Sequence, residues 1–150
     1  MPASDFSTHL PRDFFARETR HVARALLGQI VVHQSAEGLT AGRIVETEAY
    51  LGPGDLASHA ATMRTERITI MWREPGTAYI YRSYGIHAML NTVAQPPDAT
   101  GAVLIRALEP LAGIPLMQTR RGTEDLRALC SGPGKLCQAM AIRLDQQGTD

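Results

Sequence analysis

The most regular stretch of the sequence is GRIVETEAYL, residues 42–51. Its side chains alternate with the two-residue period of a β-strand, and Gly52 and Pro53 end it. Strict alternation places the following residues on one face: Ile44, Glu46, Glu48 and Tyr50. An acidic side chain on a half-buried face is costly unless it is paired or used in chemistry. The strand therefore predicts a functional or ion-paired carboxylate.

Two explanations of Glu46 and Glu48 follow from the residues alone. One glutamate pairs with an arginine, and the candidates are Arg43, Arg82 and Arg106. Alternatively, a glutamate acts as a general base. A partly buried carboxylate can lie close to a water molecule and can also have a pKa suited to accepting a proton from it. Both explanations hold together if each glutamate takes one role.

Outward from this strand, the pattern predicts a single α+β domain. Strands are expected at 29–33, 42–51, 77–81, 86–93 and 102–108, and helices at 19–27, 111–120, 124–129 and 133–142. Strands dominate the first two thirds and helices the last third, which favours α+β over a doubly wound fold. We expect a curved, mostly antiparallel sheet with a protruding β-hairpin and helices packed around it. Thr19 and Ser131 are the expected caps of their helices.

Composition limits the classes of protein. With 150 residues the chain suits one domain, for which we expect a flexible arm at 1–11 and a folded part at 12–150. Fifteen basic and 15 acidic residues balance, which argues against a dedicated non-specific nucleic-acid binder but not against a local basic patch. Cys130 and Cys137 are expected to be buried small apolar residues. The histidines lack metal-ligand spacing, so no metal site is predicted. With no signal peptide or membrane span predicted, we expect a cytoplasmic protein.

Aromatic residues concentrate in one window of the chain. Five of the eight fall between positions 50 and 84: Tyr50, Trp72, Tyr79, Tyr81 and Tyr84. Each tyrosine alone is explained by packing within a sheet. Beside a strand that carries glutamates, the set indicates a pocket in which a purine stacks between aromatic faces.

These residues resemble a known family, the alkyladenine (3-methyladenine) DNA glycosylases. The resemblance rests on motifs in order along the chain: GRIVETEAYLGP at 42–53 followed by Asp55 and His59, PGTAYIY at 75–81, Tyr84 with Gly85, Leu90 with Asn91, GAVLIRALEP at 101–110, and LCSGPGKLCQA at 129–139. It covers most of the chain from about Arg12 onward. The resemblance implies a monofunctional enzyme that needs no cofactor and excises alkylated or deaminated purines from duplex DNA.

The resemblance also implies roles for single residues. Glu48 matches the general base that activates the hydrolytic water. Tyr50 and Tyr81 match stacking walls of the pocket for the flipped base, and His59 matches a hydrogen-bond partner there. Asn91 matches the asparagine that crowds the exocyclic amine of undamaged guanine. Base flipping requires such a pocket.

Four further residues concern the reacting centre and the DNA. Arg106 matches an arginine near the catalytic water and the DNA backbone, so we count it as catalytic. Tyr84 matches a tyrosine that intercalates into the gap left by the flipped nucleotide. Ser131 and Lys135 stand at a helix start that could contact a phosphate, although helix capping alone also explains Ser131. The implied partner is double-stranded DNA with damaged purines, on the nucleoid of a prokaryote, and we expect a monomer.

The chain departs from the family pattern at three points. Ile68 stands where asparagine is usual, and His87 stands where an aromatic residue is common. The family's C-terminal segment is expected to be absent. A catalytically silent protein that binds lesions or DNA is therefore the second functional hypothesis, and a structural or interaction domain of the same fold is the third.

Overall fold

The computed structural model describes residues 6–51, 74–83, 87–96 and 99–149. His59, Trp72 and Tyr84 lie outside the described residues. Five strands form one antiparallel sheet in the order β1-β2-β5-β4-β3. They are β1 Ile30–Ser35, β2 Gly38–Leu51, β3 Ala78–Ser83, β4 His87–Val93 and β5 Gly101–Ala112. This sheet and its helices confirm the predicted α+β class.

Four α-helices lie within the described residues. They are α1 Arg12–Phe15, α2 Thr19–Ala25, α3 Ile114–Arg121 and α4 Pro133–Met140. The helix expected at 124–129 is only a short 3₁₀ turn, Leu126–Ala128. Both predicted caps are wrong. The Glu18 carboxylate, not Thr19, accepts from the first turn of α2, and α4 begins after Gly132 without a side-chain cap.

The strand β5 is longer than predicted and displaces the start of the next helix. Pairing with β2 continues through Pro110 and Ala112, so α3 begins at Ile114 rather than at 111. Gly113 makes the turn between them with φ +71°, a conformation that favours glycine. A Cβ there would overlap the carbonyl oxygen of Leu39. The close approach of β2 therefore fixes where the strand ends.

The predicted alternation of β2 is interrupted near Val45. The register with β5 shifts between Ile44 and Glu46, and again between Glu46 and Thr47. Ile44 is consequently buried in the core with the helices, whereas Val45 is 47% exposed. The expectation that Ile44 shares a face with Glu48 was wrong, because one extra residue in a paired strand reverses the side-chain order beyond it.

The main core lies between the sheet and the helices. It contains residues of α2, the inward side of β5, α3 and α4: Val22, Leu26, Val103, Ile105, Leu108, Met117, Leu136 and Met140. Helix α2 is also tied by polar contacts to β2 and to the residue that follows β4. The Thr47 hydroxyl of β2 donates to the Ala23 carbonyl at 2.8 Å. The Thr19 hydroxyl donates to the Ala94 carbonyl at 2.6 Å.

The predicted hairpin is formed by β3 and β4, whose register runs from Ala78 opposite Thr92 to Ser83 opposite His87. Strand β4 pairs with β5 only through its last residues, Asn91, Thr92 and Val93. The outer half of the hairpin therefore extends past the end of that pairing, as predicted.

Both cysteines are free and buried, as predicted. The Cys130 sulfur lies 4.0 Å from the Met117 sulfur. Burial raises the pKa of the Cys130 thiol to about 11 and that of Cys137 to about 12. Both side chains therefore act as protonated, apolar groups of the core.

The contact between Gly101 and Thr19 predicts a measurable cost of one added methyl group. A Cβ on Gly101 would overlap the Thr19 hydroxyl and lie 2.9 Å from the Ala94 carbonyl oxygen. We expect Gly101→Ala to lower the free energy of unfolding in urea by about 2–3 kcal/mol.

The matched control is Gly132→Ala. Gly132 has φ −171°, and a Cβ there would meet nothing closer than Lys135 Cδ at 3.7 Å. Its stability should change by less than about 0.5 kcal/mol. Equal stability of the two variants would contradict this account of how α2 docks.

Candidate active site

Four candidate site residues lie on the face of the sheet opposite the helices: Glu48, Tyr50, Tyr81 and Asn91. A single row of paired positions crosses four strands: Glu48 faces Leu104, Leu104 faces Asn91, and Asn91 faces Tyr79. Directly paired residues project from the same side of an antiparallel sheet. Tyr50 and Tyr81 each lie two residues farther along their strands and so share this face. We call this face the tyrosine face.

Glu48 is held at both of its carboxylate oxygens. Arg106 Nη1 donates to Glu48 Oε2 at 2.7 Å, and the Tyr50 hydroxyl donates to Glu48 Oε1 at 2.5 Å. The side chains of Glu48 and Arg106 are 42% and 41% exposed, so a small molecule or water can reach the carboxylate. Burial, followed by the hydrogen bond to Glu48, raises the pKa of the Tyr50 phenol. The phenol therefore stays protonated and remains a donor.

The ion pair confirms one of the two sequence-based explanations. Among the three candidate arginines, Arg106 pairs with Glu48, while Arg43 pairs with Glu109 at 3.2 Å. Glu46 is exposed at the surface. The register shift explains this ion pair. Ala107 pairs with Glu46 and Ile105 pairs with Thr47, so Arg106, which lies between them on β5, has no paired residue on β2. Its side chain is thereby free to reach along β2 to Glu48.

Two tyrosine rings and one buried amide lie on the tyrosine face. Tyr79 and Tyr81 lie side by side, with ring centroids 5.5 Å apart and planes tilted by 32°. Asn91 is 2% exposed, and its amide nitrogen donates to the Tyr79 carbonyl at 3.3 Å and the Met89 carbonyl at 3.4 Å. Tyr79 is buried below Tyr81 in a small cluster with Val93 and Ala102. The sequence placed Tyr79 in the aromatic set beside the glutamate strand without giving it a role of its own.

Ser131 and Lys135 stand at the start of α4. The Ser131 hydroxyl donates to the Ala128 carbonyl at 3.5 Å, and both side chains are exposed. At Gly134 a Cβ would lie only 2.9 Å from His87 Cβ and Cγ. The start of α4 is therefore packed against β4 at the residue that follows the hairpin loop 84–86.

The described part of the chain contains neither a metal-binding cluster nor a membrane-spanning helix. No group of three or more His, Cys, Asp or Glu residues there is arranged to hold a metal ion. Among the same residues, no helix combines the length and apolar character needed to cross a membrane.

Comparison with known proteins gives the class. A family model described as methylpurine-DNA glycosylase matches residues 13–150. The chain is 52% identical over 139 residues to a protein of Prosthecochloris aestuarii, covering 92% of this chain and 67% of the relative. It is 54% identical over 134 residues to one of Chlorobaculum tepidum, covering 89% and 64%. A third, from Methanoculleus marisnigri, is 51% identical over 140 residues, covering 93% and 72%.

All three relatives carry the provisional name 3-methyladenine DNA glycosylase. The class of protein is therefore that of the DNA glycosylases, hydrolases of base excision repair. More particularly, the chain belongs to the methylpurine-DNA glycosylase family, and it spans about two thirds of the length of these relatives. The resemblance of its motifs to this family is thus confirmed.

Two arginines offer a test of whether the site contributes to folding. The Arg106 pair is exposed, and exposed ion pairs contribute little to stability. Arg120 is 11% exposed and donates to the Ala139 carbonyl and the Ser35 hydroxyl, each at 3.0 Å. We expect Arg106→Ala to change the free energy of unfolding by less than about 1 kcal/mol. Arg120→Ala should cost about 2–3 kcal/mol, because it leaves partly buried acceptors unpaired.

Urea titrations of both variants against the unsubstituted chain measure the difference. A larger loss for Arg106→Ala than for Arg120→Ala would show that the Glu48 pair is a structural support rather than part of a site.

Proposed function

We propose that this protein is a monofunctional DNA glycosylase that hydrolyses the bond between a damaged purine and its deoxyribose in duplex DNA. The purines are of the alkylated or deaminated class: 3-methyladenine, 7-methylguanine, hypoxanthine and ethenoadenine. The observation that carries the proposal is the Glu48 carboxylate, accessible and held by two donors on the tyrosine face, in a chain of this family.

Glu48 is the proposed general base. A water molecule donates a proton to the carboxylate while its oxygen bonds to the anomeric carbon, and the bond from that carbon to the purine nitrogen breaks. The bonding electrons leave with the purine, through an oxocarbenium-like state. Arg106 is proposed to orient Glu48 and to act near the water and the DNA backbone, because its guanidinium is already 2.7 Å from the carboxylate.

Tyr50 and Tyr81 are the proposed walls of the base pocket, since their rings stand on the same face as Glu48. Asn91 is proposed to reject guanine by crowding its exocyclic amine. Its amide is fixed by two backbone carbonyls and has little freedom to withdraw. A rigid, buried group rejects a bulkier substrate better than a mobile one does. His59 is proposed as a hydrogen-bond partner of the base from outside the described residues.

The proposed DNA contacts lie around the hairpin. Tyr84, in the loop between β3 and β4, is proposed to intercalate where the damaged nucleotide leaves the helix. Ser131 and Lys135 are proposed to contact a phosphate nearby, because the start of α4 packs against His87 at the end of that loop. A local contact of this kind is compatible with zero net charge, and it would place the protein on the nucleoid.

The role of Glu48 is tested by removing its charge alone. Glu48→Gln should lower the single-turnover rate of hypoxanthine release from duplex DNA by about 100-fold or more, the usual contribution of a general base. Glu46→Gln, an exposed position two residues earlier on β2, is the matched control and should retain the rate within about twofold.

The same assay with 7-methylguanine and 3-methyladenine duplexes defines the lesion class. An active Glu48→Gln variant would remove Glu48 from the mechanism. Binding of lesion DNA by the unsubstituted chain without base release would identify it as a silent DNA-binding protein instead.

The intercalation and phosphate roles predict different binding defects. Tyr84→Ala should weaken binding to a lesion duplex by about 1–3 kcal/mol, the loss of one stacking contact, with a smaller effect on undamaged duplex. Lys135→Ala should weaken both duplexes equally and reduce the slope of log K against log salt by about 1. Fluorescence anisotropy at several salt concentrations measures both effects. Equal behaviour of the two variants would refute the division of roles.

A further inference from the structure

The Tyr50 hydroxyl makes a contact that a pocket wall does not need. A stacking wall requires only the ring, whereas this phenol donates to Glu48 Oε1 at 2.5 Å. We propose that Tyr50 is a positioning residue for catalysis: its hydroxyl and the Arg106 guanidinium together hold the Glu48 carboxylate oriented toward the damaged nucleotide. This inference rests on the proposed function and extends it from the ring of Tyr50 to its hydroxyl.

The backbone sets up this contact. Glu48 and Tyr50 are two apart on β2, so both project from the tyrosine face. Across the sheet they face Leu104 and Ala102, two apolar residues that offer their side chains no hydrogen bond. The phenol consequently turns along its own strand to Glu48, the nearest acceptor that can take its proton in a charge-assisted bond.

Two donors constrain a carboxylate more than one does. Arg106 alone makes an exposed ion pair, which solvent screens and side-chain freedom weakens. The Tyr50 bond fixes the other oxygen, so rotation of the carboxyl group breaks a contact in either direction. Each oxygen keeps a second lone pair, because every carboxylate oxygen can accept more than one hydrogen bond. The water can therefore bind the carboxylate without displacing either donor.

The charged and titratable groups around Glu48 come from three strands. Arg106 approaches from β5, Tyr50 from β2, and Tyr81 on β3 interacts electrostatically with Tyr50. Glu46 is exposed on the same strand. Hydrogen bonds to the ionised form of a carboxyl group favour that form. Removing the Tyr50 hydroxyl should thus leave the Glu48 carboxylate with only one of its two described donors.

The hydrogen bond between Tyr50, the proposed pocket wall, and Glu48, the proposed general base, has a second consequence. A purine that stacks on the Tyr50 ring contacts the same side chain whose hydroxyl holds Glu48. The position of the purine and the orientation of the carboxylate are then coupled through one residue. A substitution that keeps the ring separates the two effects, because it leaves stacking intact and removes only the hydrogen bond.

The test is Tyr50→Phe in the full chain, with hypoxanthine and 7-methylguanine duplexes. Lesion-duplex affinity should stay within about twofold, because the ring remains. The single-turnover rate near neutral pH should fall by about 10-fold, the value of one hydrogen bond to a charged group. A loss of rate without a loss of affinity separates positioning from stacking. The matched control is Tyr79→Phe, which removes a hydroxyl from the same face and leaves both donors on Glu48; its single-turnover rate should stay within about twofold.

A readout without catalysis separates this inference from the proposed function. Carbon NMR of side-chain carboxyl-labelled glutamate follows the Glu48 signal at neutral pH, assigned by its absence in Glu48→Gln. The chemical shift of this signal should change in Tyr50→Phe, which removes a hydrogen bond to the carboxylate, and should stay the same in Tyr79→Phe. An identical chemical shift in all three proteins overturns the inference even if the enzyme is active. A changed chemical shift in a chain that releases no base would support the positioning and contradict the glycosylase assignment.

Discussion

The antiparallel pairing of β2 with β5 is the constraint on which both the core and the site depend. It is the longest pairing in the described sheet, and each strand contributes one side to the helices and the other to the tyrosine face. The register shift around Val45 changes which residues go to which side. Before it, Ile44 points to the helices; after it, Thr47 does, while Glu48 points the other way. The shift also leaves Arg106 unpaired in the ladder and able to bind Glu48.

Local patterns in the sequence predicted the parts of the structure that depend on few residues. Glu48 and Tyr50 share a face because the two-residue period holds over a short distance. The hairpin was predictable from two strand-like runs around a short loop. The position of Ile44 was not, because a register shift is a property of two strands and only one is visible in a local pattern. The end of β5 was misplaced for the same reason: residues 109–112 read as a turn and a helix start until they pair with β2.

Arg106 and Arg120 show why the site could be predicted better than the supports of the fold. Arg106 directly follows Ile105, a buried core residue of β5, and lies on the opposite side of that strand, where a charge calls for an explanation. Arg120 lies in the last turn of α3, where a cation is expected for the helix dipole alone. Nothing local shows that its guanidinium reaches Ser35 and the end of α4. Long-range supports of this kind become visible only when the chain is folded.

With zero net charge, the protein has no overall positive potential to attract DNA. The proposed DNA binding would therefore depend on contacts at particular positions. The proposed contacts are few, so their relative position matters more than their number. Gly134 admits the His87 side chain so closely that any larger residue would force β4 and α4 apart. The start of β4 and the start of α4, which carries Lys135, are therefore in direct contact. The proposed intercalation and phosphate contacts would need a fixed distance between them, and the contact of Gly134 with His87 fixes the two described elements on which that distance depends.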